Sequence, residues 1–270
     1  MSTINVNIVA PQSGTDVTVS GAKIRYNTSA RQLRIGNNNS NVVMADTIAI
    51  GNSALQNGAF NNNGPAVAIG SEALKNAAAP GSNVAIGYRS LLNADGGAGT
   101  NNVAVGVLSG SNITEGGNNT VIGHWAGLDI VDGINNTVIG SNATMASPSA
   151  INTVTLGDSQ INTLRCAVTT ITSLSDARDK KNIEESKYGL DLVESLKPVT
   201  FEWDTRDGAK KDIKDLGFIA QDLKELDDDY LGLVYDENPE KLEASYGRLI
   251  PILVKAIQEL SAEVKELKNK

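Results

Sequence analysis

The chain has 270 residues, of which 40% are hydrophobic, and a formal net charge of −8. Because binding to phosphates needs clustered Lys and Arg, this charge argues against nucleic acid as a partner, and no apolar run is long enough to span a membrane. Only three Phe, two Trp and six Tyr occur, so small and β-branched residues must fill most of the interior.

Charged residues divide the chain near residue 174. Residues 1–174 hold 15 charged side chains, whereas residues 175–270 hold 39. The first part is rich in Asn, Gly, Ser, Thr, Ala and Val, and the second part is rich in the helix formers Lys, Glu and Leu. We therefore predict separate folding units on either side of this boundary.

The first 44 residues predict a small β module. Residues 5–10, 17–19 and 23–26 have the alternating pattern of strands, and residues 11–14 form a Pro- and Gly-containing turn.

A short unit recurs through residues 45–174. It reads as an apolar triplet or pair followed by Gly, and an Asn pair often precedes it. The copies end at Gly51, Gly70, Gly87, Gly106, Gly123, Gly140 and Gly157, with spacings of 19, 17, 19, 17, 17 and 17 residues. Each triplet predicts a short strand, and the Asn and Gly residues predict turns with left-handed backbone. One unit cannot bury its apolar face alone, so we expect the units to stack and partner chains to complete the core.

These units resemble the head repeats of trimeric autotransporter adhesins and the shafts of many phage fibres. The resemblance implies a homotrimer. Adhesins of that kind carry a secretion signal and a membrane anchor, and the sequence shows neither pattern. We therefore expect the phage version, folded in the host cytoplasm, with the module over residues 1–44 serving as its attachment to the virion.

A motif stands at the charge boundary, Ser175-Asp-Ala-Arg-Asp-Lys180-Lys-Asn-Ile, and further motifs follow in 189–191, 196–203 and 217–221. Together they resemble the endosialidase-type intramolecular chaperone family over residues 175–270. The resemblance implies that Ser175 is a nucleophile, that Lys180 is its general base, and that the chain is cleaved once at Ser175. Cleavage on either side of Ser175 stays open, and attack on the preceding carbonyl favours the Leu174–Ser175 bond. Asp179 departs from the family pattern, which has an apolar residue at this position, and a carboxylate there would favour a protonated lysine.

An alternative for the same residues is an ordinary polar turn in which Ser175 caps a helix and Lys180 is solvated. For Asp176 and Arg178, a surface salt bridge and a role in positioning the dyad stay equally open.

The C-terminal segment carries a heptad-like pattern of apolar residues, with steps of three and four. These residues are Ile250, Leu253, Ile257, Leu260, Val264 and Leu267. The pattern predicts a trimeric coiled coil, and the alternative is one amphipathic helix that packs on its own domain.

Three further features predict structure rather than chemistry. Cys166 is the single cysteine and is expected to be a small buried side chain. His124 is the single histidine and lies in a repeat, and residues 217–221 lack the geometry of a phosphate-binding loop. We predict no cofactor and no metal.

The sequence thus predicts a mainly β shaft over residues 45–174, trimeric and built of stacked or β-helical strands. An α+β chaperone domain over residues 175–270 follows and ends in the coiled coil. The predicted function is a virion fibre or spike for host attachment, with tail or baseplate proteins and a host surface glycan or protein as partners. One alternative is a structural shaft or adaptor without a host ligand. The other is a polysaccharide depolymerase, which would need paired carboxylates.

Overall fold

A computed structural model of the chain describes residues 15–19, 22–27, 32–35, 46–57, 65–77, 81–94, 99–167 and 171–270. The chain forms two compact units, Met1–Asp158 and Ser159–Lys270. The predicted strand over residues 5–10 and the turn after it lie outside the described residues. The predicted domain boundaries at residues 44 and 174 stay predictions.

The first unit is built on one ten-stranded sheet whose strands follow each other in chain order. The strands are β1 (Thr15–Val19), β2 (Ala22–Asn27), β3 (Gln32–Ile35), β4 (Ile48–Ile50), β5 (Val67–Ile69), β6 (Val84–Ile86), β7 (Val103–Val105), β8 (Thr120–Ile122), β9 (Thr137–Ile139) and β10 (Val154–Leu156). The first three pair antiparallel, and every pair from β3–β4 onward is parallel. The seven strands from β4 to β10 make a β-solenoid of about six turns.

The repeated sequence explains the coil. Each strand has three residues, and because side chains alternate along a strand, only the middle one points into the coil. The middle residues of six strands are buried: Ala49, Ala68, Ala85, Ala104, Val121 and Val138. Other buried aliphatic residues follow the strand-ending glycines, with Leu55, Leu74 and Leu91 four residues after the glycine and Ile113 and Ile130 seven residues after it. Aliphatic side chains therefore form the core, as the scarcity of aromatic residues predicted.

The glycine that ends each strand is required both because a side chain would not fit and because the backbone has a positive φ. Gly106 has a φ of +142°, and a Cβ at this position would lie 2.2 Å from the carbonyl oxygen of Gly123 in the next coil. A Cβ on Gly87 would likewise lie 2.2 Å from the carbonyl oxygen of Gly106. Successive coils therefore touch through their glycine backbones, which a side chain would push apart.

The two residues of each Asn pair have different roles. The first, as in Asn101, Asn118 and Asn135, has a left-handed backbone with φ near +60°, which confirms the predicted turn. The second is buried and belongs to a column with Asn83, Asn102, Asn119 and Asn136. In this column, which we call the asparagine ladder, the Oδ1 of each residue accepts the backbone N–H of the next at 2.6–3.0 Å.

The second unit mixes short helices and hairpins. A 3₁₀ turn, Ala177–Asp179, is followed by α1 (Leu190–Ser195), the antiparallel pair β11 (Val199–Asp204) and β12 (Lys211–Gly217), and α2 (Ala220–Leu226). A second antiparallel pair, β13 (Val234–Tyr235) and β14 (Glu243–Ala244), a 3₁₀ turn at Tyr246–Arg248 and the long helix α3 (Leu249–Lys268) complete it. This is the predicted α+β region.

A small core holds this unit together. It contains Leu223, Leu231, Leu233, Leu249 and Ile252, with Phe218, Tyr188 and the apolar side of α1 packed against it. Only the first two turns of α3 contribute buried side chains, and the rest of the helix is largely exposed. None of the described helices has both the length and the apolar character needed to cross a membrane.

Candidate functional site

Ser175 and Lys180 meet in the structure. The Nζ of Lys180 donates a hydrogen bond to Ser175 Oγ at 2.7 Å and lies 3.3 Å from the backbone oxygen of the same residue. The 3₁₀ turn between them reverses the chain, so five residues of sequence separation become direct contact. An amine so close to a hydroxyl is positioned to exchange a proton with it.

Asp176 and Arg178 build this turn. The carboxylate of Asp176 caps the turn by accepting the backbone N–H of Arg178 at 2.9 Å, and it also accepts hydrogen bonds from the Arg178 guanidinium at 2.6–3.2 Å. The guanidinium holds the pKa of Asp176 below its ordinary value, and the backbone N–H acts in the same direction. The Asp176–Arg178 salt bridge predicted as one alternative is therefore present, and it lies inside the turn that joins Ser175 to Lys180.

The site is open to solvent in the single chain. Leu174 is 83% exposed, and Ser175 and Lys180 are both exposed. The helix-cap role considered for Ser175 belongs to Asp176 instead.

The segment after the site is anchored to α3. Lys255 on α3 donates to Glu185 at 2.5 Å, and Glu185 raises the pKa of this amine above its ordinary value. Glu259, one turn further along α3, accepts the backbone N–H of Leu190 at 2.7 Å. A Cβ on Gly189 would meet the Glu259 carboxylate, so a larger residue here would displace this side chain from its bond to Leu190.

Sequence reasoning missed this anchor. Glu185 and Lys255 are 70 residues apart, and each looks like an ordinary surface charge in the sequence. Gly189 within the 189–191 motif was the signal available, because glycine lets another group approach the backbone closely.

Other predicted residues lie away from this site. The backbone N–H of Phe218 donates a hydrogen bond to the Tyr246 hydroxyl at 3.1 Å, and the Phe218 ring meets the Tyr246 ring edge-on, so Phe218 packs within the second unit. His124 lies on the solenoid surface beside Trp125. Cys166 was expected to be buried, and this was wrong: it is exposed, in a stretch without helix or strand.

Comparison with known proteins relates the start of the second part of the chain to a known family. Residues 175–232 match the model of a peptidase family described as the chaperone of endosialidase. The match begins at Ser175 and covers less than half of the chain. No curated protein and no solved structure matches. The family match and the β-solenoid together support an autocleaving intramolecular chaperone of endosialidase type that follows a fibre-like shaft.

Proposed function

We propose that the chain is a subunit of a homotrimeric phage fibre or spike that attaches the virion to its host. In this proposal residues 175–270 bring three chains together, help the shaft to fold, and cleave themselves off at Leu174–Ser175. The 2.7 Å contact between Lys180 Nζ and Ser175 Oγ, at the first residue of the family match, is the observation that carries it.

The proposed cleavage is an acyl shift followed by hydrolysis. Ser175 Oγ attacks the carbonyl carbon of Leu174 while the neutral amine of Lys180 takes the hydroxyl proton. The C–N bond breaks, the Ser175 nitrogen takes up that proton, and an ester joins Leu174 to Ser175 Oγ. Water then hydrolyses the ester, which leaves a carboxylate on Leu174 and a free amine and hydroxyl on Ser175. Since both groups lie in one chain, the high effective concentration favours the reaction.

We propose that assembly completes this site. A general base must be neutral, whereas lysine amines in water are protonated at neutral pH, and desolvation favours the neutral form. Ser175 and Lys180 are both exposed in the single chain. Packing of a neighbouring chain over them would therefore supply the desolvation, so that cleavage follows trimer formation.

The solenoid offers an apolar surface for such assembly. The last residue of each strand points outward, and from β4 to β10 these residues are all aliphatic and stacked in register: Ile50, Ile69, Ile86, Val105, Ile122, Ile139 and Leu156. Soluble monomers rarely expose long contiguous apolar patches. This column supports contact between copies of the shaft.

Helix α3 supports the same assembly at the other end of the chain. All six residues of the predicted coiled-coil pattern are exposed, whereas Leu249, Ile252 and Ala256 on another side of the helix are buried. The helix therefore packs on its own domain through one face and presents the heptad face outward. We propose that three such faces form the coiled coil.

Intact mass after expression tests the proposal. We expect the wild type to give two fragments, one ending at Leu174 and one beginning at Ser175, while Ser175→Ala and Lys180→Ala stay full length. Loss of a general base slows a reaction by about 100-fold or more. Lys181→Ala is the matched control, because it removes the adjacent lysine, and it should cleave as the wild type does. An intact wild-type trimer would refute autocleavage and leave residues 175–270 as a permanent cap.

The two alternatives make different predictions. A depolymerase needs two carboxylates facing one substrate, but Glu72 is bound by Arg89 and Lys75 and Asp132 accepts the Ser149 hydroxyl. Release of reducing ends from polysaccharide would favour the depolymerase. A pure shaft or adaptor would trimerise and cleave but bind no host component.

A further inference from the structure

A continuous strip of side chains runs along the outside of the solenoid. It consists of the two residues that follow the strand-ending glycine in four successive coils: 71–72, 88–89, 107–108 and 124–125. We call this the outer strip. Backbone hydrogen bonds of 2.8–3.0 Å join each pair to the next, as from Leu108 N to Tyr88 O and from Trp125 N to Val107 O. The side chains are therefore held in a fixed row.

Two aromatic rings on the outer strip are exposed. Tyr88 is 41% exposed and Trp125 is 43% exposed, and they are the only Phe, Tyr or Trp in residues 65–158. The buried columns of the described coils consist of aliphatic residues and asparagines, so neither ring is needed for the core. Trp125 stacks on His124 with ring centroids 4.8 Å apart, and the Arg89 guanidinium lies 5.0 Å from the Tyr88 ring centroid. Both rings are thus held in place by a neighbour.

The backbone of the outer strip disfavours the residues it carries. Glu72, Arg89 and Trp125 have φ values of +59°, +54° and +58°, a left-handed region that Gly and Asn adopt more easily than large side chains. The next coil has Asn142 at the same position, with φ +55°. Because Trp125 points outward, core packing does not compensate its strain, so its side chain acts at the surface.

Positive charge on the solenoid is concentrated at the same place. Lys75 and Arg89 are the only Lys or Arg residues in 46–158. Both bind the Glu72 carboxylate, Arg89 at 2.6 Å and Lys75 at 3.2 Å. One carboxylate shared by two cations leaves a net positive charge beside Tyr88, on a chain whose net charge is −8. An anionic ligand would find its complementary charge here.

We propose that the outer strip, together with Lys75 beside it, binds an acidic oligosaccharide, whose sugar rings stack on Tyr88 and Trp125 and whose carboxylates pair with Arg89 and Lys75. The proposal rests on the host attachment proposed above and names the class of ligand. Tyr88 and Trp125 lie two coils apart, which is about 10 Å at the spacing of paired strands. The ligand must therefore contain more than one sugar unit. The charged groups in the first two coils of the strip, Glu72 and Arg89, distinguish it from the aliphatic column, since charges are depleted in interface cores.

Binding of the purified full chain to a polysaccharide panel tests this. The probes are polygalacturonate, alginate and hyaluronate fragments, with dextran as the neutral control. We expect calorimetry to show binding to at least one acidic probe and none to dextran, with an affinity that falls as salt rises. Trp125→Asn should weaken binding at least tenfold, and Arg89→Gln should weaken binding and reduce its dependence on salt.

Trp125→Asn also separates binding from folding. Because Asn accepts left-handed backbone and already occupies this position in the next coil, the variant should melt at the wild-type temperature or above. Tyr230→Ala is the matched control, since Tyr230 is an exposed aromatic residue of the second unit, and its binding should equal that of the wild type.

Three results would overturn the proposal: no acidic probe binds, Trp125→Asn binds as well as the wild type, or Trp125→Asn changes the oligomeric state. The last would assign the strip to contact between copies. Intact mass and oligomeric state of the same samples keep the two proposals apart. If the wild-type protein cleaves and trimerises but binds no acidic probe, only the proposal for the outer strip is refuted.

Discussion

Truncation of one buried asparagine should destabilise the solenoid strongly. Asn119 is fully buried. Its Oδ1 accepts the backbone N–H of Asn136 at 3.0 Å, and its Nδ2 donates to the Gly133 oxygen at 2.7 Å. Asn119→Ala removes the side chain that pairs with the Asn136 N–H and with the Gly133 oxygen. Each buried polar group left unpaired costs about 1–3 kcal/mol. We therefore expect a loss of roughly 2–6 kcal/mol in the free energy of unfolding for each chain.

Thermal unfolding followed by circular dichroism measures the effect. A loss of 1 kcal/mol lowers the melting temperature of a large domain by about 2–4 °C, so a loss near 4 kcal/mol predicts a drop of roughly 8–16 °C. Asn112→Ala is the matched control, because Asn112 also bonds across a coil, to the Leu128 oxygen at 2.7 Å, but is exposed. Water replaces that hydrogen bond in the variant, so we expect the free energy of unfolding to fall by about 0.5 kcal/mol or less. Equal melting temperatures for the two variants would refute the importance of the asparagine ladder.

Three further predictions concern the glycines, α3 and pH. Gly106→Ala should prevent normal stacking of the coils, because its Cβ would lie 2.2 Å from a carbonyl oxygen. The control Gly208→Ala, at φ +71° with open space around it, should lower the free energy of unfolding by only about 1 kcal/mol. Equal yields of folded protein for the two variants would contradict this. Ile257→Asp on the exposed face of α3 should abolish the trimer in analytical ultracentrifugation but keep the helical signal of the second unit, and a trimer that survives would argue against the coiled coil. Pairing with Arg178 lowers the folded pKa of Asp176, so the turn is fully stabilised above the ordinary value of about 3.9 and loses this support as pH falls through the lowered pKa. NMR titration of the Asp176 carboxyl measures it, and an ordinary pKa would show that the pair does not form in solution.

The repeat made the solenoid predictable from sequence. Glycines spaced by 17 or 19 residues implied strands that stack in register, and the pairs Val67↔Val84 and Ala104↔Val121 confirm that register. The same reasoning missed the second residue of each Asn pair. Asn usually reads as a turn residue, and its burial depends on acceptors that exist only when coils stack. The recurrence of this asparagine just before each strand was the sequence signal that could have indicated its burial.

Prediction of the site depended on a local motif. The residues between Ser175 and Lys180 form a turn, so their contact follows from nearby sequence, while their catalytic roles stay a prediction. The anchor on α3 joins residues of distant segments, such as Glu185 and Lys255, and surface charges of this kind have many equivalent partners in a sequence. The exposure of Cys166 was missed because sequence gives no measure of how much packing an irregular segment receives.

The stacked coils also make the length of the shaft independent of its ends. Each coil bonds to the coil before it and the coil after it, through backbone contacts such as Val103 N to Asn119 O at 2.8 Å. Duplication of one 17-residue unit would therefore lengthen the solenoid by about 4.8 Å without altering the other coils. The reach of the proposed fibre could thus change during evolution by copying units, while the C-terminal region proposed to assemble it stays the same.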